Sequence, residues 1–186
     1  MKPVHLRNVP PPAETFNHFE FLKYMASWIK PERYLELGVS QGKSLISIAP
    51  YCKEIIAVDI NQPELPIPQN CNFIKTTTDN FFSSIADDAM FDMVFIDADH
   101  SHEQSFRDFL NVKDRVIEDG FIFLHDTYPY SLEFTSPGLC NDAYKTALFI
   151  KNQFGKDFEY LTLPFNPGVT ILKKMKRSKQ LAWKKF

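Results

Sequence analysis

Tyr34-Leu35-Glu36-Leu37-Gly38-Val39-Ser40-Gln41-Gly42-Lys43-Ser44 is the stretch whose reading decides the fold. An apolar run from Tyr34 carries an acid, Glu36, near its end, and two glycines, Gly38 and Gly42, precede an apolar helical pattern. A second apolar run, Ile55-Ile56-Ala57-Val58, ends in another acid, Asp59. Strand, glycine turn, helix, strand and acid make the nucleoside-binding half of an open α/β sheet. A dinucleotide loop would read Gly-x-Gly-x-x-Gly, packed for a pyrophosphate, and here Glu36 stands where the first of those glycines falls. A carboxylate there repels phosphates and suits a ligand that carries an amine.

Outward from that unit, strands and helices alternate. Strands are predicted near 33–38, 54–59, 71–75, 91–97 and 120–125, and helices near 42–50, 79–86, 102–117 and 141–153. Met93-Val94-Phe95-Ile96 and Phe121-Ile122-Phe123-Leu124 are apolar on both faces, as central parallel strands are. Strands near 157–163 and 168–173 are joined by Pro164, Asn166, Pro167 and Gly168, a hairpin signal. The pattern predicts a doubly wound, Rossmann-like sheet of seven strands with helices on both faces and an antiparallel last strand. Between Asn61 and Asn70, Pro63, Pro66 and Pro68 argue against a helix and for an irregular crossover.

The 186 residues suffice for one domain with a real core, and we read 1–186 as that domain. Residues 1–31 form a proline-rich arm (Pro3, Pro10, Pro11, Pro12) and a helix from Glu14 that Pro31 stops. No apolar run reaches the roughly 20 residues a bilayer span needs. Cys52, Cys71 and Cys140 are scattered and odd in number, which reads as free thiols and a cytoplasmic protein. The net charge of −2 is uneven: residues 173–186 hold seven basic residues and no acid, so the rest carries −9. That tail is either a solvated terminus or a grip on nucleic acid or another anionic partner.

Ligands of open α/β sheets lie at the carboxyl ends of the strands. The first strand delivers Glu36, Gly38 and Ser40, and the helix after Gly42 points its amides at the same crevice. The second delivers Asp59, placed to accept both hydroxyls of a ribose. Asp79 and Asn80 follow the third; Asp79 either caps the next helix or accepts from an adenine amine. The fourth delivers Asp97-Ala98-Asp99-His100 and the fifth His125-Asp126-Thr127. An adenosine ligand with a cationic amino-acid tail suits this order of groups, which describes S-adenosylmethionine. His102 reads as a helix N-terminal residue rather than a ligand.

Glu36-Leu37-Gly38-Val39-Ser40-Gln41-Gly42, Ala57-Val58-Asp59 and Phe91-Asp92-Met93-Val94-Phe95-Ile96-Asp97 resemble the motifs of class I S-adenosylmethionine-dependent methyltransferases, and the likeness runs from Tyr34 to Lys173. The resemblance implies methionine-end contacts from Glu36 and Gly38, ribose contacts from Asp59 and adenine contacts from Asp79 and Asn80. Ser40, Gly42 and Asp97 complete the cofactor-binding candidates. Phe95-Ile96-Asp97-Ala98-Asp99-His100-Ser101-His102-Glu103 is similar to the fourth-strand end of divalent-metal O-methyltransferases of the caffeoyl/catechol and macrolide-sugar types. By that likeness Asp97 and Asp126 bind Mg²⁺ or Mn²⁺, with His125 beside them as a third candidate, and His100 and Asp97 are catalytic, His100 as general base. His125 departs from the sugar type, which has an acid there, and Thr127 from the catechol type, which has Asn.

Tyr128 to Cys140, with Tyr130, Phe134 and Pro137, is predicted to wall the acceptor pocket as a lid. The helix over 14–29 closes the same pocket or serves as a face for a homo-oligomer. The leading expectation is methyl transfer to a hydroxyl of a small molecule, a sugar among the candidates. The alternatives are an RNA or protein methyltransferase that uses the basic tail, and an inactive nucleoside-binding protein. Glu36 disfavours a nicotinamide oxidoreductase.

Overall fold

The computed structural model describes residues 17–165 and 167–176. The N-terminal arm, the start of the predicted helix at 14–16, Asn166 and the tail from Arg177 lie outside the described residues. The first helix, α1 (His18–Ile29), begins after Asn17, whose side chain accepts from the Glu20 amide and satisfies one free donor of the first turn. Lys30 ends it in a left-handed conformation (φ 50°), just before Pro31.

The chain then runs β1 (Arg33–Leu37), α2 (Lys43–Ile48), β2 (Glu54–Asp59), β3 (Cys71–Lys75), α3 (Thr78–Ser84), β4 (Phe91–Ile96), α4 (His102–Val112), β5 (Val116–His125), α5 (Ala143–Phe154), β6 (Phe158–Leu163) and β7 (Val169–Lys174). The sheet order is β3-β2-β1-β4-β5-β7-β6. Strands β1 to β5 pair parallel, and β7 lies between β5 and β6, antiparallel to both. This is the expected doubly wound sheet. Residues 60–70 cross from β2 to β3 without a helix, as three prolines require.

Two apolar layers cover the sheet. On one face α3, α4 and α5 bury Phe81, Phe109, Val112 and Ile150 against Leu35, Leu37, Val94 and Ile122. On the other, α1 and α2 bury Phe21, Leu22, Ala26 and Leu45 against Tyr34, Met93, Phe95 and Phe123. Side chains alternate along a strand, so Glu36 shares the face of Tyr34 and points under α2.

Three boundaries differ from expectation, the first being that α1 begins at His18, after an extended Asn17, inside the span expected to be helical from Glu14. The helix predicted over 102–117 stops at Val112, and the strand predicted from 120 begins at Val116. β-Branched Val116 is fully buried and pairs with Phe91, where a strand packs better than another helical turn. The register then shifts, and Asp119 takes φ 63° beside Gly120. A Cβ on Gly120 would stand 2.7 Å from Val116 Cγ1, so the bulge needs glycine.

Candidate active site

The carboxyl ends of β1, β2, β4 and β5 open into a cavity of about 600 Å³. Ser40, Asp59, Asp97, His100, His125 and Asp126 line it. A second hollow of about 310 Å³ adjoins it, lined by Asp59, Thr77, Asp79, Asp99 and Gln104 among others. The first suits the amino-acid end and reacting centre of a ligand, the second its base.

Gly38 and Gly42 form the turn after β1 with φ of 87° and 91°, and Ser40 between them has φ 51°. Gly38 is glycine because the chain after β4 crosses it: a Cβ there would lie 2.2 Å from the Asp97 carbonyl oxygen. Asp59 holds the turn from beside it. Its Oδ2 accepts from the amides of Val39 (2.8 Å) and Ser40 (3.0 Å), and its Oδ1 from that of Asn61 (2.7 Å). A carboxylate has about four lone-pair sites, so one remains for a ribose hydroxyl. Asp59→Ala is expected to weaken binding of S-adenosylhomocysteine by about 1–3 kcal/mol, the cost of charged hydrogen bonds left unmade. Calorimetric titration of the variant measures it, and an unchanged dissociation constant removes Asp59 from the nucleoside site.

Glu36 lies beneath the cavity rather than in its lining. It is fully buried; Tyr34 donates its hydroxyl to Oε2 (2.9 Å) and Ser44 donates to Oε1. Burial pushes its carboxyl up to about 8, against those two hydrogen bonds. Ser44, at the start of α2, is the group that meets the cavity above it.

Thr77, not Asp79, caps α3, accepting from the Asn80 amide at 3.2 Å. Asp79 lines the second hollow and pairs with Arg107 at 2.9 Å, while Asn80 is exposed and outside its lining. Gln104 takes a place the sequence did not mark. Its amide nitrogen reaches Thr78 Oγ1, Asp79 Oδ1 and the buried Asp108 Oδ1 at 3.0–3.3 Å. Three acceptors face two hydrogens, so this amide is firmly oriented at the hollow's wall.

At the ends of β4 and β5, Asp97, His100 and Asp126 each offer a ligand atom, and these atoms lie within 4.8 Å of one another. Asp126 is buried, with φ 59°, and its Oδ2 has no aligned donor although His100 Nδ1 is 2.9 Å away. That nitrogen also lies 2.5 Å from the Leu139 carbonyl, which only accepts, so Nδ1 carries a proton and Nε2 is left to work. Nε2 is 3.7 Å from Asp97 Oδ1. The Asp126 carboxylate beside that nitrogen leads the causes that push His100 up to about 9. Burial raises Asp126, but His100 and His125 outweigh it and hold the carboxyl far below the ordinary range.

His125 is committed on both nitrogens: Nδ1 donates to Asp97 Oδ1 (2.8 Å), and Nε2 lies 3.1 Å from His18 Nδ1 of α1. It therefore stands behind the carboxylates, outside the set of convergent ligand atoms. Burial opposes its charge, yet Asp97 and Asp126 push it up to about 10. His102 binds Thr146 Oγ1 (2.8 Å) through its ring, its amide donates to Asp142, and it starts α4, as expected. The loop after β5 brings Phe134, Leu139 and Cys140 to the cavity, and α1 brings His18 and Phe19. The sequence marks the segments of His18 and Cys140 as walls of this pocket but singles out neither residue; their places at it come from long-range packing. On its outer side α1 exposes Tyr24 and Trp28.

A crevice of this kind, at the carboxyl ends of a sheet in this order, defines the class of enzymes that move a methyl group from an adenosyl donor. The chain belongs to the family whose model, described as a methyltransferase domain, matches residues 35–127, half of its length. Among solved structures it is similar to the Podospora anserina methyltransferase PaMTH1 with S-adenosylhomocysteine bound (17% identity, 85% of this chain and 78% of that one, TM-score 0.67). It is also similar to the O-methyltransferase TomG of Streptomyces achromogenes in complex with S-adenosylmethionine (15%, 90% and 84%, 0.66). A Bacillus cereus O-methyltransferase in complex with S-adenosylhomocysteine gives 15%, 88% and 84%, and 0.62. At these identities the likeness is one of fold. The comparison with curated proteins returns no match. No helix among the described residues is long and apolar enough to cross a membrane.

Proposed function

We propose that the protein carries a methyl group from S-adenosylmethionine to a hydroxyl oxygen of a small molecule, with a divalent cation, Mg²⁺ or Mn²⁺, held by Asp97 and Asp126. The observation that carries this reading is the convergence of Asp97, His100 and Asp126 in the cavity wall. The donor set fits a cation: two carboxylates face one point, and Asp126 Oδ2 is buried without an aligned donor. When bound, the cation supplies Lewis acidity that favours the ionised form of an acceptor hydroxyl.

The residues of the chain do the rest. The Gly38–Gly42 turn, pinned by Asp59, and the hollow beside Asp79 hold the nucleoside. His100 keeps Nδ1 on the Leu139 carbonyl, and Nε2 takes the acceptor proton in the neutral form of the ring; Asp126 and Asp97 disfavour that form while they face His100, and would disfavour it less once they hold a cation. Phe19, Phe134 and Leu139 exclude water from the reacting oxygen. A second reading, without a metal, is favoured by His125. Its Nδ1 lies 2.8 Å from Asp97 and 3.6 Å from Asp126, so a buried imidazolium already offsets their charge.

Chelation separates the two. In the metal reading EDTA lowers turnover of a hydroxyl acceptor at least about a hundredfold, the scale for losing about 3 kcal/mol of charge stabilisation, and Mn²⁺ restores it. Turnover indifferent to EDTA leaves the His125 reading.

A further inference from the structure

The geometry points to His18 as a positioning residue for the reaction, acting through His125 on Asp97; the inference rests on the methyl-transfer reading above. The contacts form an unbroken line. His18 Nδ1 lies 3.1 Å from His125 Nε2 with the rings 4.1 Å apart, and His125 Nδ1 lies 2.8 Å from Asp97 Oδ1. Asp97 lines the cavity beside His100.

His18 is presented by a packed helix. Asn17 fixes the first turn of α1 through its side chain and through its carbonyl, which accepts from the Phe21 amide. Phe21 packs against Phe123 at 5.8 Å and Phe165 at 5.7 Å, and Leu22 and Ala26 are fully buried. The His18 ring also stacks on Phe95, which meets the edge of His125 at 5.9 Å.

The effect of the contact follows from what an imidazole ring can do. Asp97 can only accept, so His125 Nδ1 carries a proton. One proton lies between His125 Nε2 and His18 Nδ1, and on whichever nitrogen it sits, the bond fixes the plane of the His125 ring. Without His18, Nε2 of this nearly buried ring loses its partner and faces aromatic surface. A half-turn about the ring bond then becomes competitive, and it puts a carbon where Nδ1 met Asp97. The carboxylate loses its hold and its single orientation toward the reacting oxygen. α1, read from the sequence only as a cover or an oligomer face, thus reaches into the chemistry.

The test compares His18→Phe, which keeps a ring without a polar atom, with His18→Asn, which returns one, and with Asn17→Ala, which frees the first turn. Each is followed by steady-state kinetics and by the His125 ring N–H resonances in ¹H–¹⁵N spectra, with S-adenosylhomocysteine binding as the check on folding. His18→Phe is expected to lower kcat about 10–100-fold, the scale for losing a partner that orients a functional side chain. KM for the methyl donor should stay within about twofold, because His18 acts on the acceptor side. The His125 Nδ1–H resonance should vanish, Asn17→Ala should fall between, and His18→Asn should recover most of the rate. An unchanged resonance in His18→Phe overturns the inference, as does equal impairment of His18→Phe and His18→Asn. If the wild type methylates no acceptor, the function proposed above fails, while the resonance still decides the coupling: loss in His18→Phe supports it and persistence overturns it.

Discussion

His100→Ala should lower turnover by about 10²–10⁴-fold, the range for removing a positioned general base, while the dissociation constant of S-adenosylhomocysteine stays as in the wild type. Two observations set this expectation. His100 has one nitrogen committed to the Leu139 carbonyl and the other turned toward Asp97, so a single ring both lines the cavity and fastens the loop above it. The nucleoside site proposed above lies apart from it, at the Gly38–Gly42 turn and the hollow beside Asp79. Single-turnover rates together with calorimetry separate the effects. Equal turnover in the variant removes His100 from the chemistry, and a parallel loss of nucleoside affinity places it in cofactor binding instead.

Gly38→Ala should cost roughly 2–5 kcal/mol of stability, read as a lowered urea midpoint, and should abolish nucleoside binding. Its φ of 87° is strained for any residue with a Cβ, at about 1–2 kcal/mol. Overpacking adds about 1–3 kcal/mol more, because the new atom would lie 2.2 Å from the Asp97 carbonyl oxygen and 2.5 Å from Ala98 Cα. Those atoms are backbone and cannot swing aside. A variant with wild-type stability would mean that the ends of β1 and β4 part easily, against the bond Asp97 N to Leu37 O (2.7 Å).

The fold was legible because its determinants are local. Apolar runs such as Met93–Ile96, the glycines after β1 and the three prolines before β3 each prescribe backbone form within a few residues. The end of α4 was not, because Val112 to Ile117 suits a helix and a strand alike, and the decision is made by Phe91 across the sheet. The candidate site divides the same way. Residues at strand ends, Asp59, Asp97 and Asp126, fall where the strand rule puts them. What their atoms do depends on partners distant in sequence. Ser44 and Tyr34 absorb Glu36, His18 and Asp97 absorb His125, and Leu139 turns His100. Spacing along the chain carries no trace of those meetings.

Asp119, at the bulge of β5, holds Lys173 at 2.9 Å and Lys176 at 2.7 Å, and the Lys174 ammonium reaches the carbonyls of Lys113 and Val116. β7 runs down from Val169, beside His125, to this point, where the bulge marks the other end of the sheet. The molecule therefore has two poles. At one, carboxylates and histidines face the cavity; at the other, three of the seven basic residues in the 173–186 segment are already engaged within the fold. Five or six residues of strand, about 17–20 Å, separate them. An anionic chain gripped at the basic pole would have to cross the whole height of the sheet to present an atom for methylation. A small acceptor entering beside Phe134 meets no such distance.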